Sequence, residues 1–156
     1  MTPIELKKIR LIADYQFGRG AGSTLFPEDV TISYSNTRRI RQVRYGGRRL
    51  ATLKAQDGMF TLGIVSAEKL HRFFPPPKLR VTVNDDAAPF ISAGKTTFAK
   101  HVIAVDPEIR AGEEILIVDD CDHLLATGKA LLAPTEMLCA RRGVAVETRA
   151  GINSKE

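Results

Sequence analysis

Arginine is concentrated around the pair Gly46–Gly47, which is typical of a tight hairpin turn. A guanidinium group offers a planar fork of donors that matches phosphate oxygens, and counterion release further favours its binding to phosphates. Because residues two apart on a strand share a face, Arg39 and Arg41 are expected to project together. Tyr45 offers a ring on which a base can stack. We predict a polyanion-binding surface formed by Arg39, Arg41, Arg48 and Arg49. The alternative is a solvated hairpin tip, because surface hairpins are often charged.

The net charge of +5 is unevenly distributed along the 156 residues. Residues 1–74 contain 13 Lys and Arg against 6 Asp and Glu, which gives +7, whereas residues 75–156 contain 10 against 12, which gives −2. A basic half joined to a mildly acidic half favours a polyanionic partner for the first half, with a solvated basic face as the alternative.

Three consecutive prolines, Pro75–Pro77, divide the chain at the point where the charge balance changes. Proline has no backbone donor and a fixed φ, so such a run favours an extended, semi-rigid spacer. We therefore predict two domains, over residues 1–74 and 78–151.

The elements that carry the arginines are expected to form a small helix–sheet–helix unit. The segment Thr2–Glu5 has the composition of a capping box, which predicts a helix that Gly18 ends. Glycines at positions 18, 20 and 22 then predict a flexible loop. Alternating segments predict four strands, over residues 30–34, 39–45, 50–55 and 59–64. Ser66 is expected to cap a closing helix.

The second half predicts mostly short strands with two small helices. Apolar, β-branched runs predict strands over residues 79–83, 102–105, 115–118, 124–132 and 144–148. Asn84 or Asp85 is expected to cap a short helix that Gly94 ends, and Pro134 to begin another. Short strands need closure to protect their edges, which favours a compact, partly closed barrel. The expected fold class of the whole chain is α+β, mostly β.

Two glycine motifs that suggest nucleotide binding do not meet the requirements for it. Gly94-Lys95-Thr96 resembles the end of a P-loop, but the position five before the Gly-Lys pair holds Pro89 instead of glycine. The glycines near residue 20 follow a predicted helix rather than a strand, so they favour close packing, or close approach of a nucleic acid, over dinucleotide binding. A nucleotide-dependent enzyme that uses the Gly94–Thr96 loop is the less favoured alternative.

The segment Asp119–His123 is the densest group of metal-ligand residue types. It lacks the glycine and the distal Glu of a calcium loop, and one Cys-x-His pair supplies too few ligands for zinc. We therefore predict a polar hairpin turn between two strands. No pattern indicates a catalytic residue, a metal or a cofactor. Cys121 and Cys139 are too few for a disulfide framework, and we expect both to be reduced, partly buried thiols.

The composition favours an ordinary soluble protein, since 44% of the residues are hydrophobic and 26% are charged. No apolar run reaches the roughly 20 residues that cross a bilayer, and the N-terminal segment lacks the pattern of a signal peptide. We expect a cytoplasmic protein without a membrane partner.

A series of motifs between Leu79 and Gly151 resembles a PUA domain, an RNA-binding pseudo-barrel. In chain order they are LRVTV from Leu79, NDDAAPFISAGK from Asn84, IRAGEEILIVD from Ile109, LLATGKA from Leu124 and RRGVAVETR from Arg141. The resemblance implies structured RNA as the partner. It also implies that the RNA lies against the first helix, the loop and strand after it, and the last strand. In this sequence these positions are Gly94, Lys95, Phe98, Lys100, His101, Arg142, Gly143 and Arg149.

The residue types at these positions suit RNA. The Lys and Arg side chains can bind phosphates, and Phe98 or His101 is suited to stacking on an unpaired base. The alternative for Phe98 is a core position, as its apolar character allows. Many PUA domains have glycine where this chain has His101, and this departure bears on how closely RNA approaches the strand.

The whole chain resembles the C-terminal part of archaeal archaeosine tRNA-guanine transglycosylases. The shared words occur in the same order: IADYQFG from Ile12, LFP from Leu25, RIRQV from Arg39, DGMFTL from Asp57 and APF from Ala88. The catalytic part of that family is a TIM barrel, a fold of roughly 250 residues for which this chain has no room. Its cysteine-rich zinc site is absent here as well.

The resemblance therefore implies a non-catalytic RNA-binding protein, with tRNA as the RNA. It would act as an adaptor in tRNA modification, in the archaeosine pathway, or as the docking subunit of a separately encoded catalytic tRNA-modifying subunit. The alternative is an RNA-binding accessory factor of the ribosome or of translation, because PUA domains also occur there.

Overall fold

The first helix, α1 (Pro3–Phe17), begins where the sequence places its cap. The Thr2 hydroxyl accepts a hydrogen bond from the Glu5 amide at 3.2 Å, and the Glu5 carboxylate accepts one from the Thr2 amide at 3.0 Å. Gly18, with φ of 132°, follows the last helical residue.

The computed structural model describes residues 1–154, and the chain divides into two compact units, Met1–Phe73 and Phe74–Glu156.

The predicted glycine loop is wrong in part, because it contains a short helix, α2 (Ala21–Leu25). The Gly22 amide donates a hydrogen bond to the Asp14 carboxylate at 2.7 Å. A Cβ at Gly22 would lie 2.2 Å from the carbonyl oxygen of Arg10. The glycine thus allows the backbones of α1 and α2 to touch, and this contact holds the segment in place.

The first unit continues as a four-stranded antiparallel sheet in chain order. Its strands are β1 (Thr31–Tyr34), β2 (Ile40–Tyr45), β3 (Arg48–Leu53) and β4 (Phe60–Leu62), and α3 (Ile64–Phe73) follows. Gly46 and Gly47, with φ of 56° and 78°, form the hairpin turn between β2 and β3, as predicted. The prediction for Ser66 is wrong. It lies inside α3, where its hydroxyl donates to the carbonyl of Leu50 at 2.7 Å.

The core of the first unit lies between α1 and the sheet. Phe26 and Phe60 pack with their ring centroids 5.2 Å apart, and both are fully buried. The Gln16 side chain on α1 exchanges two hydrogen bonds with the Phe60 backbone, at 2.7 and 2.8 Å. These bonds fix α1 against β4.

The second unit is a mixed six-stranded sheet with two short helices. In chain order its elements are β5 (Arg80–Val83), α4 (Ala88–Ser92), β6 (Thr97–Phe98), a 3₁₀ turn (Ala99–His101), β7 (Val102–Val105), β8 (Glu114–Val118), β9 (Leu124–Ala130), α5 (Pro134–Cys139) and β10 (Val144–Gly151). The strand order is β6-β10-β9-β8-β5-β7, and only the β5–β8 pair is parallel within residues 1–154.

The sheet curls because its two edge strands, β6 and β7, are joined by the three residues Ala99–His101. Three residues span at most about 10 Å, so the edges must approach each other. The result is the pseudo-barrel that the sequence predicts, and the α+β, mostly β class is confirmed. Val81, Ile91, Ile117 and Val146 are among the apolar residues that fill its interior.

The segment Asp119–His123 is the polar turn between β8 and β9 that the sequence predicts. The Asp119 carboxylate accepts hydrogen bonds from the amides of Cys121 and His123, both at 2.9 Å. Cys121 and Cys139 are free but exposed, so the expectation of partial burial is wrong. Within residues 1–154, no group of three or more ligand residues is placed to hold a metal, and no helix has the length and apolarity to cross a membrane.

Candidate nucleic-acid interface

A pocket of about 370 Å³ opens beside α4 and β6 in the second unit. It brings together three of the residues carried over from the PUA resemblance, Lys95, Phe98 and His101. The other lining residues are Ala87, Phe90, Ile91 and Thr96. We call this the aromatic pocket.

The end of α4 positions Lys95 at the aromatic pocket. Gly94, with φ of 93°, lets the chain reverse after the helix, as predicted. The Gly94 amide donates to the Ile91 carbonyl at 2.8 Å, and the Lys95 amide donates to the Phe90 carbonyl at 3.0 Å. These two bonds make a Schellman motif, which ends α4 and holds the backbone of Lys95 close to that of Phe90.

Two phenylalanines line the pocket and remain largely accessible. Phe90 is 65% exposed and Phe98 is 44% exposed. Phe98 is therefore not a core residue, and its accessible ring suits stacking on an unpaired base. Phe90 was not among the predicted site residues, although it stands in the Ala-Pro-Phe word. The sequence signal for Phe90 is the apolar residue that follows it. Ile91 lies on the buried face of the short helix α4, so Phe90 points away from the core.

His101 and Gly143 both lie near β6, the strand that carries Phe98. The Asn84 amide donates to the His101 carbonyl at 2.9 Å, which ties the turn after β6 to the end of β5. The Ala99 amide donates to the Gly143 carbonyl at 3.0 Å, and Val144 is paired with Phe98. The structure thus brings the predicted segments around residues 94–101 and 142–143 together. Lys100 and Arg142 are exposed there.

Arg149 lies apart from the aromatic pocket. Its guanidinium forms an ion pair with the Glu114 carboxylate on β8, and the Glu114 side chain is only 4% exposed. A second internal pair joins Arg80, 3% exposed, to Asp122 at 3.1 Å. Both arginines hold a carboxylate of their own unit. An RNA contact of Arg149 stays a prediction, and it would compete with this ion pair.

The first unit carries a second cavity, a groove of about 560 Å³ between the start of α1, the β1–β2 turn and the end of β3. Arg39 and Arg41 both line it, in agreement with their shared strand face. Lys8, Arg38 and Lys54 line it too, and were not among the predicted site residues. We call this the basic groove.

Arg48 and Arg49 lie at the opposite end of the β2–β3 hairpin. Arg48 is paired with Tyr45 and Arg49 with Arg44, next to the Gly46–Gly47 turn. Tyr45 is 42% exposed, and the ammonium of Lys69 lies 5.9 Å from its ring centroid. The four predicted arginines therefore form two groups at the two ends of the hairpin, and their contact with a polyanion stays a prediction.

The electrostatics of the basic groove favour an anion. The side chains of Arg38, Arg39 and Arg41 have no ion-pair partner among residues 1–154, whereas Lys54 pairs with Asp57 at 2.9 Å. The one carboxylate in the lining, Glu5, accepts a hydrogen bond from the Tyr34 hydroxyl at 2.7 Å. This bond holds the pKa of Glu5 below its ordinary value of 4.5, so Glu5 stays charged. The cations nevertheless outnumber it.

Two family models match the chain, one to each half. Residues 79–152 match the PUA domain, and residues 7–77 match the patch-forming domain C2 of tRNA-guanine transglycosylase. Both matches follow the chain order that the sequence resemblance implies. By fold and by sequence, this is a PUA-domain protein.

The chain resembles the C-terminal, PUA-containing part of archaeal tRNA-guanine(15) transglycosylases, which confirms the predicted resemblance. It is 48% identical to the enzyme of Pyrococcus furiosus over 148 residues, or 95% of this chain. Those residues are 25% of that enzyme, so the chain spans about a quarter of the length of the curated relatives it matches.

Two solved archaeal structures share the fold at lower identity. A hypothetical protein of Pyrococcus horikoshii superimposes with a TM-score of 0.74 at 18% identity, covering 99% of this chain and 94% of the other. A conserved PUA-domain protein of Thermoplasma acidophilum gives a TM-score of 0.66 at 20% identity, covering 98% and 92%.

Proposed function

We propose that this chain is a non-catalytic tRNA-binding protein that presents tRNA for modification in the archaeosine pathway. The observation that carries the proposal is the aromatic pocket, in which two accessible phenylalanine rings stand beside Lys95 and His101. Stacking and phosphate contacts together are how proteins hold structured RNA with unpaired bases. The match to tRNA-guanine(15) transglycosylases favours tRNA over other RNA.

The division of labour that we propose has two parts. The basic groove and the hairpin arginines supply the general attraction for phosphates. In the groove, Arg38, Arg39 and Arg41 have no ion-pair partner among residues 1–154, and Arg48 and Arg49 lie beside the hairpin turn. The aromatic pocket supplies recognition, because a base must leave its stack to reach Phe90 and Phe98. We propose that Lys100, Arg142 and Gly143 add to this surface, since Lys100 and Arg142 are exposed and the Gly143 carbonyl accepts a hydrogen bond from the Ala99 amide, next to Phe98.

We propose a non-catalytic role for this chain, which matches the C-terminal, PUA-containing quarter of the transglycosylase relatives. The Gly94–Thr96 loop supports this view, since it follows helix α4 and leads into a strand. A P-loop instead follows a strand and precedes a helix. The catalytic step would then be performed by a separate polypeptide that this chain serves as docking subunit.

Binding to folded tRNA and to an unstructured RNA of equal length tests the proposal. We expect the wild-type protein to bind tRNA at least tenfold more tightly at the same salt concentration. Phe90→Ala and Phe98→Ala should each reduce this preference, because each removes a stacking surface worth about 1–3 kcal/mol. Leu131→Ala is the control, since it shortens an exposed apolar side chain that does not line the pocket.

Equal affinity of the wild-type protein for both RNAs would contradict the proposal. The non-catalytic part has its own assay, exchange of labelled guanine into tRNA by the purified chain. We expect no exchange and no ATP hydrolysis. Turnover that Lys95→Ala abolishes would instead favour an enzyme.

A further inference from the structure

The arginines of the basic groove leave their side-chain donors unused. A guanidinium offers a fork of N–H donors, yet those of Arg38, Arg39 and Arg41 make no hydrogen bond and no ion pair among residues 1–154. Arg44, on the same strand as Arg41, instead donates to the Gln42 side chain at 3.0 Å. Three guanidinium groups with free donors therefore line one cavity.

The turn between β1 and β2 holds these arginines in position. The Ser35 amide donates to the Arg39 carbonyl at 2.8 Å, and the Arg38 amide donates to the Ser35 carbonyl at 2.9 Å. Arg38 adopts a φ of 62°, a left-handed conformation that is unfavourable for a residue with a side chain. Strain of this kind is concentrated at ligand-binding sites, where it fixes a side chain before the ligand arrives.

Two hydroxyl groups of the same turn supply a further donor. Ser35 Oγ and Thr37 Oγ1 lie 3.0 Å apart, and both residues line the groove. The Ser35 hydroxyl also accepts a hydrogen bond from the Arg39 amide at 3.2 Å. Because the two hydroxyls share one hydrogen between them, whichever of them donates, the hydrogen of the other is left for an acceptor in the groove.

The carboxylate of Glu5 lines the groove but does not neutralise it. Its Oε1 accepts a hydrogen bond from the Thr2 amide at 3.0 Å, and its Oε2 accepts one from the Tyr34 hydroxyl at 2.7 Å. Five cationic side chains of residues 1–154 line the same groove, and among them only Lys54 is paired, with Asp57. The groove thus carries an excess of several positive charges.

A phosphate monoester suits this excess better than an internal phosphodiester. A monoester carries about two negative charges near neutral pH and three terminal oxygens that accept hydrogen bonds, whereas each internal phosphodiester of RNA carries one charge. We propose that the basic groove binds the 5′-terminal phosphate of the RNA. The inference rests on the proposed function for the choice of RNA as ligand, and it names the part of the RNA that the groove holds.

The shape and the apolar part of the groove suit a terminal nucleotide. Its volume of about 560 Å³ is that of pockets that enclose a small ligand. Ile40 and Leu53 are half-buried and line it, so the ribose and base that follow the phosphate meet apolar side chains. A terminal nucleotide also needs only one path for the rest of the strand, whereas an internal nucleotide needs two.

The test compares two samples of one tRNA that differ only in a 5′-phosphate or a 5′-hydroxyl, with binding measured by fluorescence anisotropy. We expect the wild-type chain to bind the phosphorylated sample about tenfold more tightly, because hydrogen bonds between charged groups are strong. The variant Arg38→Gln, Arg39→Gln, Arg41→Gln should bind both samples equally. All three side chains are exposed, so the fold should be retained, and thermal unfolding checks this.

A matched control replaces two arginines at the other end of the same hairpin, Arg48→Gln and Arg49→Gln. It should weaken binding to both tRNA samples by the same factor and keep the preference for the 5′-phosphate. The inference is overturned if the wild-type chain does not distinguish the two samples, or if the groove variant keeps the wild-type preference. Loss of the preference in the control variant as well would contradict a site confined to the groove.

Adenosine 5′-monophosphate is the second probe, because it carries the same phosphate group without the rest of the RNA. We expect it to displace phosphorylated tRNA only in large excess, since it lacks every other RNA contact. If it binds the wild-type chain as tightly as the tRNA does, the groove is a site for a free nucleotide and the inference is wrong.

An unstructured RNA of equal length, with and without a 5′-phosphate, separates this inference from the proposed function. The preference for the phosphate should persist in this RNA. A wild-type chain that prefers tRNA but ignores the 5′-phosphate refutes the inference and leaves the proposed function intact. A chain that prefers the 5′-phosphate but binds tRNA and unstructured RNA equally refutes the proposed function and supports the terminal-phosphate site.

Discussion

Two arginines of the second unit differ from two arginines of the first unit in what they face. In the second unit, Arg80 and Arg149 are paired with carboxylates of the same unit, Asp122 and Glu114. In the first unit, Arg39 and Arg41 line a groove and have no ion-pair partner among residues 1–154. The first kind secures the fold, and the second is available to an external anion. Identifying a binding arginine thus requires knowledge of its partner, which residue type and strand spacing alone do not supply.

Replacing Arg39, Arg41, Arg48 and Arg49 by Ala should have the largest effect on RNA binding. Each phosphate contact contributes about 0.7–0.9 to the slope of log K against log salt, so the slope should fall by up to roughly 3. At low salt we expect a loss of roughly 100-fold in tRNA affinity and little change in stability. Binding measured over a series of KCl concentrations checks both values.

The matched control replaces the same four arginines by Lys. This variant keeps the charges and should keep most of the salt dependence, since lysine binds phosphate as a point charge. If the Ala variant retains the wild-type slope, the arginines of the first unit do not serve as phosphate ligands.

Arg149→Ala should act on stability instead. Glu114 is nearly fully buried, and removing the guanidinium that faces it leaves its charge less compensated. Since Arg149 is itself 28% exposed, we expect a cost of about 2–3 kcal/mol in the free energy of unfolding rather than the full cost of a buried pair. Urea denaturation measures it.

Arg142→Ala is the control for Arg149→Ala, because Arg142 is exposed and should change stability by no more than about 0.5 kcal/mol. Should Arg149→Ala leave stability intact but weaken tRNA binding, Arg149 would belong with the RNA ligands after all. The distinction between the two units would then be wrong at this position.

Arg38→Gly should affect stability and binding in opposite directions. Arg38 has a φ of 62°, a left-handed conformation that costs a residue with a side chain about 1 kcal/mol or more. Glycine adopts this conformation without strain. However, glycine also raises the conformational entropy of the unfolded chain, which offsets part of the gain in stability. We expect stability to rise by about 0.5 kcal/mol and the salt slope of tRNA binding to fall by about 0.8.

Thermal unfolding and salt-dependent binding of the same Arg38→Gly sample give both values. Arg38→Asn is the control, since asparagine tolerates the left-handed conformation but carries no charge. A fall in stability with unchanged binding would mean that Arg38 serves the turn rather than a ligand.

The smallest expected effect concerns Asp119 in the second unit. Burial alone would raise its pKa, but hydrogen bonds from the His123 and Cys121 amides outweigh it, and the net pKa lies below the ordinary 3.8. A carboxyl whose pKa is lower in the folded state stabilises the fold above its unfolded pKa, and this contribution is lost as the pH falls through the folded pKa. Asp119→Asn should therefore be slightly less stable than wild type near neutral pH, and the two should converge below pH 3.8.

Unfolding midpoints of the Asp119→Asn variant and the wild type, measured at neutral and at acidic pH, test this. Asp120→Asn, at an exposed neighbouring position, is the control and should follow the wild type. A constant difference between Asp119→Asn and the wild type at all pH values would show that the charge of Asp119 does not matter to the turn.

Features set by neighbouring residues were predictable from the sequence. The capping box at Thr2, the turn at Gly46–Gly47 and the helix end at Gly94 depend on local chemistry, and all three are confirmed. The barrel was predictable because the motifs of the PUA domain occur in order. Lys95, Phe98 and His101 share a pocket because they follow one another around a single helix end and strand.

Features set by distant residues were not predictable. Glu114 and Arg149 are 35 positions apart, and they meet only because β9 places β8 and β10 on its two sides. The α2 helix depends on the close approach of Gly22 to Arg10, which composition does not reveal. Cys121 and Cys139 are exposed because no other element of residues 1–154 packs over them, and such tertiary packing cannot be read from the local sequence.

Crosslinking of the protein to RNA in its native cell, followed by sequencing of the bound RNA, tests the central proposal most directly. We expect tRNA to be enriched above all other RNA, with crosslinked peptides that contain the first-unit arginines and Phe90 or Phe98. Enrichment of ribosomal RNA would instead indicate a ribosome or translation accessory factor, and the absence of any enriched RNA would contradict RNA binding altogether.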